Sequence, residues 1–184
     1  MTIAAIPMTY RGTRFRSTLE ADWAATFDWY EMYWEYEPIA ITLSDGTQYR
    51  PDFYLPECHI WCEVKGPLDE RIEKPRLLNR DLWSDDWLER EPFVVVLRPA
   101  GPGDRATWES CNPSMAIFIY RCPHCEHHAF IDGNGYFECR LVNCRAQLER
   151  WDVRQTASGE GPFRRCPRDH AATRAATLAA TKGS

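Results

Sequence analysis

The stretch from Arg50 to Gly66 constrains the fold of this chain more than any other. It reads Arg-Pro-Asp-Phe-Tyr-Leu-Pro-Glu-Cys-His-Ile-Trp-Cys-Glu-Val-Lys-Gly. Residues 49–55 are rich in aromatic side chains, and residues 60–65 have apolar side chains at alternate positions. The four residues between these segments are typical of a turn. The sequence therefore predicts a β-hairpin, with Cys62 on its core face.

This hairpin brings two carboxylates together if Leu55 lies opposite Ile60. In that register Asp52 lies directly opposite Glu63, and Lys65 lies two residues further along the same face. Like charges at opposite positions, with Cβ atoms roughly 5 Å apart, repel each other. A divalent cation between them removes the repulsion, and Mg²⁺ prefers such oxygen ligands. A lysine beside the ion can hold a nucleophilic water or help to deprotonate it, so the pattern indicates phosphodiester hydrolysis.

Residues 51–52, Pro-Asp, and 63–65, Glu-Val-Lys, together resemble the core motif of the PD-(D/E)XK nuclease superfamily. The motif is short, and a surface strand with Glu and Lys on its solvent face would show the same residue pattern. Its flanks favour the nuclease interpretation, since aromatic and basic residues precede it at 49–50, Gly-Pro ends it at 66–67, and an acidic helix lies upstream. The chain is similar in particular to small phage- or plasmid-type endonucleases with a trailing zinc ribbon.

The resemblance implies a role for each residue of the motif. Glu20 corresponds to the acid on the helix, Asp52 and Glu63 to metal ligands, and Lys65 to the catalytic lysine. The implied site for Mg²⁺ or Mn²⁺ consists of Glu20, Asp52, Glu63 and the Val64 carbonyl. The expected reaction is metal-dependent hydrolysis of DNA that leaves a 5′-phosphate and a 3′-hydroxyl.

The rest of the pattern predicts an α/β fold with a restriction-endonuclease-like core, in the order helix, three-stranded antiparallel sheet, helix, strand. Ser17 and Glu20 form a capping box that opens the first helix. Apolar residues then recur at helical spacing: Leu19, Trp23, Phe27 and Tyr30. The later elements are expected as strands at 34–37 and 39–43, a helix from 68 to about 88, and a strand buried on both faces at 93–97.

The charge distribution suggests where DNA would bind. The net charge is −5, but residues 1–16 contain three arginines and no acid, whereas residues 17–99 are strongly acidic. Basic segments suit phosphate contacts, and the family places a basic residue on the second helix. The predicted DNA contacts are therefore Arg11, Arg14, Arg16 and Lys74. For the mildly basic residues after 99, ordinary solubilising charge is an equally good explanation.

Four of the eight cysteines have metal-binding spacing. They read Cys-x2-Cys, thirteen residues, Cys-x4-Cys, which is typical of a zinc ribbon. The predicted zinc ligands are Cys122, Cys125, Cys139 and Cys144. Three nearby histidines could each replace one ligand: His124, His127 and His128. An iron–sulfur cluster and four unrelated thiols are the alternatives, and no role follows for Cys58, Cys111 or Cys166.

These observations divide the chain into a nuclease core at 10–100, a zinc-ribbon module at 112–152 and a mostly flexible tail at 153–184, with residues 1–9 loosely packed. The N-terminus lacks the pattern of a signal peptide, and no run reaches the ~18 apolar residues of a membrane span. We therefore expect a soluble, cytoplasmic protein without a membrane partner.

DNA is the expected partner, with the assembly left open between a single chain, a homodimer and a larger nucleoprotein complex. Two other functions also stay open. The chain could be a non-catalytic nucleic-acid-binding or adaptor protein on a nuclease-like scaffold. Alternatively, it could be a resolvase- or transposase-type subunit that is active only in a complex.

Overall fold

The computed structural model describes residues 5–82, 93–99, 105–111, 117–132, 139–141, 143–144, 146, 160–162 and 164–167. Within these ranges the protein is mixed α/β, with two helices and several sheets. The elements in chain order are β1 (Met8–Tyr10), β2 (Thr13–Phe15), α1 (Thr18–Trp29), β3 (Glu35–Tyr36), β4 (Ile41–Thr42), β5 (Gln48–Tyr49), β6 (Phe53–Leu55), β7 (Ile60–Val64), α2 (Glu73–Leu82), β8 (Phe93–Pro99), β9 (Arg105–Ser110), β10 (Ile117–Arg121), β11 (His128–Asp132) and β12 (Glu160–Pro162).

Six strands form the central sheet in the order β12-β9-β8-β7-β6-β3. Strands β3, β6 and β7 are antiparallel, whereas β7 and β8 are parallel and α2 lies between them in the chain. Along the chain α1 is followed by the antiparallel strands β3, β6 and β7, then by α2 and β8, and these strands are part of the larger mixed sheet. A separate two-stranded hairpin, β4-β5, is inserted between β3 and β6. Its turn uses Gly46 at φ 83°, a conformation that glycine adopts without strain.

Hydrophobic side chains cover both faces of the central sheet. On one face Trp23 and Phe27 of α1 lie in a cluster with Phe53 and with alternate residues of β8. On the other face the intervening β8 residues, Val94 and Val96, lie in a second cluster with residues of the α2 region. Because β8 faces a core on each side, its apolar run is continuous, as the sequence predicts.

The N-terminal segment is more ordered than its sequence suggests. Residues 1–9 are expected to be loosely packed, but Met8–Tyr10 pairs with Thr13–Phe15 in an antiparallel hairpin. Its turn is formed by Arg11 and Gly12, both with positive φ. The hairpin is held because Phe15 is 1% exposed and packs in the main core against Phe53. It also delivers the next residue, Arg16, to the end of β6.

The second helix begins later than predicted. The sequence indicates a helix from residue 68, but α2 begins at Glu73, and residues 83–88 lie outside the described part of the chain. Residues 66–69 form a turn instead, in which the Asp69 N–H donates to the Gly66 carbonyl over 3.2 Å. The turn is favoured because Arg98 donates to the carbonyls of both Gly66 and Asp69. Arg71 therefore precedes the helix rather than lying on it.

The later segments pack against the main core. Ile117, Ile119 and Phe130 of the β10-β11 hairpin belong to the same cluster as α1, and the Trp108 indole donates to the Ile117 carbonyl over 3.0 Å. Within the predicted tail from residue 153, the described residues are 160–162, which form strand β12, and 164–167. Strand β12 pairs with β9, because the edge of β9 offers free hydrogen-bonding groups to a further strand. Residues 168–184 lie outside the described ranges.

Residues 164–166 attach to α1. The Arg164 N–H donates to the Thr26 hydroxyl over 3.0 Å, and the Cys166 N–H donates to the Asp22 carboxylate over 2.8 Å. The Arg164 guanidinium also stacks on the Trp29 ring.

Neither helix in the described part of the chain has the length and apolar character that a membrane crossing requires.

Candidate functional site

The register of the β6-β7 hairpin matches the prediction. Leu55 pairs with Ile60 and Phe53 with Cys62, which places Asp52 next to Glu63 where the ladder ends. Both acids are buried, with exposed fractions of 4% for Asp52 and 8% for Glu63. The Val64 N–H donates to Asp52 Oδ2 over 2.7 Å, so this carboxylate is held against β7.

Glu63 is held by two donors, one on each oxygen. Lys65 Nζ lies 2.8 Å from Oε1, and the Tyr49 hydroxyl donates to Oε2 over 2.6 Å. Burial, followed by the charge of Glu63, raises the pKa of Tyr49 well above its usual range, so the hydroxyl stays protonated and remains a donor. Tyr49 reaches this position because the β4-β5 hairpin returns the chain to the start of β6.

Glu20 lies at the first turn of α1 and is also held by a tyrosine. The Tyr36 hydroxyl donates to Glu20 Oε2 over 2.5 Å, and the Arg16 N–H donates to the same oxygen over 3.0 Å. The predicted cap is present, since the Ser17 hydroxyl accepts from the Glu20 N–H over 3.1 Å. In a standard capping box the acid returns to the N–H of the cap residue, but here it reaches the residue before it.

Arg16 bridges two acids at this site. Its Nη2 lies 2.6 Å from Asp52 Oδ1 and 2.7 Å from Glu37 Oε1. The sequence predicts Arg16 as a DNA contact and does not predict Glu37 as a member of the site. The contacts arise because the β1-β2 hairpin and the Phe15 anchor place the arginine beside β6.

The surroundings of Asp52 change the pKa of its carboxyl group. Burial, followed by the nearby charge of Glu63, raises the pKa of Asp52 to about 8. The Val64 N–H and the Arg16 guanidinium act in the opposite direction by favouring the charged form. In the absence of a cation, Asp52 therefore retains its proton more readily than an ordinary aspartate.

The acidic residues do not converge as tightly as the four cysteines. Within the described ranges, one group of three or more His, Cys, Asp or Glu side chains lies close enough to share an ion, and it is Cys122, Cys125, Cys139 and Cys144. The predicted Mg²⁺ ligands have the right donor chemistry, since carboxylates and a carbonyl suit this ion. At present, however, Arg16 and Lys65 supply the positive charge beside them. The Mg²⁺ site therefore stays a prediction.

The four cysteine sulfurs form a group that can hold one metal ion such as zinc. All four lie within 4.8 Å of one another, and two Sγ–Sγ distances, Cys122 to Cys144 and Cys125 to Cys139, are 3.8 Å. Four thiolates at the usual Zn–S distance of about 2.3 Å from a tetrahedral ion have nearly this separation.

Backbone turns position these cysteines. The Glu126 N–H donates to the Cys122 carbonyl over 2.7 Å, and the Cys144 N–H donates to the Leu141 carbonyl over 3.0 Å. Two of the three nearby histidines contact backbone carbonyl groups. His127 Nδ1 lies 2.7 Å from the Cys125 carbonyl oxygen, and His128 Nδ1 lies 3.0 Å from that of Tyr30. Among the described residues, the group close enough to share an ion consists of the four cysteines. Cys58, Cys111 and Cys166 are buried and free of disulfides.

A cleft of about 480 Å³ opens beside Glu63 and carries an excess of positive charge. Two acids line it, Glu63 and Glu73, against five cations: Arg16, Arg50, Lys65, Arg71 and Lys74. Of the predicted DNA contacts, Arg16 and Lys74 line this cleft, whereas Arg11 pairs with Asp28 over 3.0 Å and Arg14 is exposed on β2.

Sequence reasoning missed Arg50 and Arg71 as cleft residues, although their positions offered a signal. Arg50 directly precedes the Pro-Asp dipeptide, and Arg71 lies three residues before Lys74.

Comparison of the chain with models of known protein families, with curated proteins and with solved structures finds no match.

Proposed function

We propose that this protein is a metal-dependent DNA endonuclease built on a restriction-endonuclease-like core. One observation carries the proposal: the acids Asp52 and Glu63 lie side by side at the end of one hairpin. Glu63 and the adjacent Lys65 line a cleft rich in cations. Paired carboxylates suit a hard divalent ion, and a basic cleft suits a phosphate backbone. The proposed substrate is therefore a polyanion cut at a phosphodiester.

Each residue of the proposed site has its own role. Asp52, Glu63 and the Val64 carbonyl would hold Mg²⁺, which when bound supplies Lewis acidity and lowers the pKa of a water. Lys65, with a side chain only 15% exposed, orients the attacking water or the phosphate oxygen by donating hydrogen bonds. Glu20 accepts a hydrogen bond from that water and fixes its direction.

The cleft cations have a separate role. Arg50, Arg71 and Lys74 bind the phosphates that flank the cut and so hold the strand in line. None of the three is a candidate for the chemical step itself.

The position of Arg16 favours a second candidate, a nuclease subunit that becomes active only in a complex. Its guanidinium neutralises Asp52 and Glu37, so it competes with a cation for Asp52. A partner or DNA that withdraws Arg16, whose side chain is 60% exposed, would free the acids. In this candidate the isolated protein binds DNA but does not cut it.

The test is cleavage of plasmid and branched DNA by purified protein with Mg²⁺, with Mn²⁺ and with no divalent cation. We expect cutting with either metal and none without, and we expect Asp52→Asn and Glu63→Gln each to abolish it. The matched control is Glu57→Gln, since Glu57 is an exposed acid at the opposite end of the same hairpin.

Each result has a clear meaning. Full activity in Asp52→Asn or in Glu63→Gln contradicts the proposed site. Activity of Arg16→Ala combined with an inactive parent protein supports the subunit candidate. Binding of DNA without cleavage under any of these conditions, Arg16→Ala included, supports the adaptor interpretation.

A further inference from the structure

We propose that the turn at residues 66–69 is a wedge that places Leu68 against the bases of DNA held in the cleft. The inference rests on the proposed function, because it takes the partner of the cleft to be DNA. It goes further in assigning a contact to an apolar side chain that has no part in hydrolysis.

Leu68 is unusually exposed to solvent for a leucine. Its exposed fraction is 92%, the highest among the exposed large hydrophobic residues of the described chain, and the neighbouring Pro67 is exposed too. A turn needs no apolar residue at its tip, where polar residues are the usual choice. One exposed leucine alone would carry no meaning, so the argument depends on how the turn is held and on what surrounds it.

Hydrogen bonds from the Arg98 side chain hold the turn rigidly. Arg98 Nη1 donates to the Gly66 carbonyl over 2.8 Å and to the Asp69 carbonyl over 2.6 Å. The arginine is itself fixed, since its Nε donates to Glu109 over 2.8 Å and its side chain is 16% exposed. The tip is therefore ordered before any partner arrives, which lowers the entropic cost of using it as a contact.

Cations lie on both sides of the tip, each paired with an acid: Lys65 with Glu63 and Arg71 with Asp69. Lys65 precedes the tip by three residues, and Arg71 follows it by three and is fixed by a two-pronged contact with Asp69. Both cations line the cleft. Consecutive Cα atoms are 3.8 Å apart, so Leu68 lies within about 11 Å of each along the chain. A surface on which cations flank an apolar tip matches nucleic acid, because phosphates meet the cations while bases meet the apolar group.

Leucine is among the side chains that proteins insert between base steps, where they unstack the bases and kink the duplex. The phosphates contacted by Lys65 and Arg71 would then lie on either side of the opened step. Such a wedge would bend the strand towards the acids and would favour DNA that is already easy to unstack, such as mismatched or branched DNA.

The experiment measures unstacking separately from cleavage. Short duplexes carrying 2-aminopurine at successive positions are mixed with Asp52→Asn protein in Mg²⁺, and base fluorescence and anisotropy are recorded together. We expect a rise in fluorescence at one or two adjacent positions. Leu68→Ala in the same background should remove the rise and weaken binding about tenfold, as loss of a buried leucine contact implies.

Two controls separate the wedge from general effects. Leu68→Met keeps an apolar side chain and should retain the fluorescence rise. Ile39→Ala removes another exposed apolar residue, 55% exposed and outside the cleft lining, and should change neither signal.

The outcomes distinguish this inference from the proposed function. A Leu68→Ala protein with unchanged fluorescence and affinity overturns the wedge, and so does cleavage by the parent protein with no fluorescence rise at any position. In the second case the nuclease function stands. A rise that depends on Leu68, in a protein that never cuts, supports the wedge and overturns the nuclease function.

Discussion

The hydroxyl of Tyr49 donates a 2.6 Å hydrogen bond to Oε2 of Glu63, and the exposed fractions of the two residues are 6% and 8%. This bond fixes which oxygen of the acid faces Lys65 and the cleft. Tyr36 and Glu20 repeat the arrangement over 2.5 Å. Two acids of the site thus have a tyrosine that orients the carboxylate and leaves one edge of it for other contacts.

The role of Tyr49 can be tested by replacing it with phenylalanine. Tyr49→Phe leaves a buried carboxylate oxygen without its donor, which costs about 1–3 kcal/mol of folding free energy. We also expect slower cleavage and weaker metal binding, because Glu63 can then rotate. Urea unfolding and titration with Mn²⁺ measure the two effects. The control is Tyr54→Phe, since the Tyr54 hydroxyl contacts the exposed His59, and equal behaviour of the two variants would contradict the assigned role.

Protonation of Asp52 should make the metal-free protein more stable in mild acid. Its pKa in the folded protein is raised to about 8, whereas an unfolded aspartate titrates near 3.9. Between these values the folded state binds more protons than the unfolded state, so the free energy of unfolding falls as the pH rises from about 4 to about 8. Asp52→Asn should flatten this dependence and be the more stable protein at pH 8.

Urea unfolding at pH 5 and at pH 8, without added divalent cation, checks this prediction. Saturating Mg²⁺ should remove the difference between the two pH values in the parent protein, because a bound cation favours the charged carboxylates. Parallel profiles for the parent and Asp52→Asn would show that the slope arises elsewhere.

Loss of the Lys65 amine should slow the reaction without loosening the metal. Lys65 Nζ contacts Glu63 Oε1 over 2.8 Å, but it carries the wrong charge to be a ligand. We expect Lys65→Ala to lower the cleavage rate about 10²- to 10⁴-fold, the usual range for a lost proton-transfer group, with little change in Mn²⁺ affinity. Lys74→Ala, on the same cleft, should instead weaken DNA binding and reduce its salt dependence. An unchanged rate in Lys65→Ala would remove the lysine from the mechanism.

Removal of the cysteine ligands should affect the main core as well as the metal. Protein purified without added metal should contain about one zinc per chain, as four ligands imply. The double variant Cys122→Ser, Cys125→Ser should lose it. Because Ile119 and Phe130 of the adjoining hairpin belong to the core that contains Phe27, we expect a lower melting temperature for the whole protein. His124→Ala, an exposed neighbour of the ligands, should keep both the zinc and the melting temperature.

The parts of the site that follow from local pattern could be predicted from the sequence. The period of a strand places Asp52 opposite Glu63 once Leu55 pairs with Ile60, and the cysteine spacing identifies the four sulfurs. The partners of the acids could not be predicted. Arg16 meets Asp52 across 36 residues of chain, through a hairpin whose short strands give little periodic signal. No local pattern records such a contact, since it depends on how separate elements pack.

The attachment of residues 164–166 to α1 also bears on how the protein reaches its folded state. Thr26 and Arg164 are 138 residues apart, yet the Arg164 N–H donates a hydrogen bond to the Thr26 hydroxyl. Contacts of this sequence separation close late in folding and slow it, because a long loop loses its entropy before they form. During synthesis, the helix that carries Glu20 therefore gains its last attachments only after the central hairpin and the cysteine segment have left the ribosome. The last attachments of this helix are thereby coupled to the arrival of strand β12, which lies directly before them in the chain.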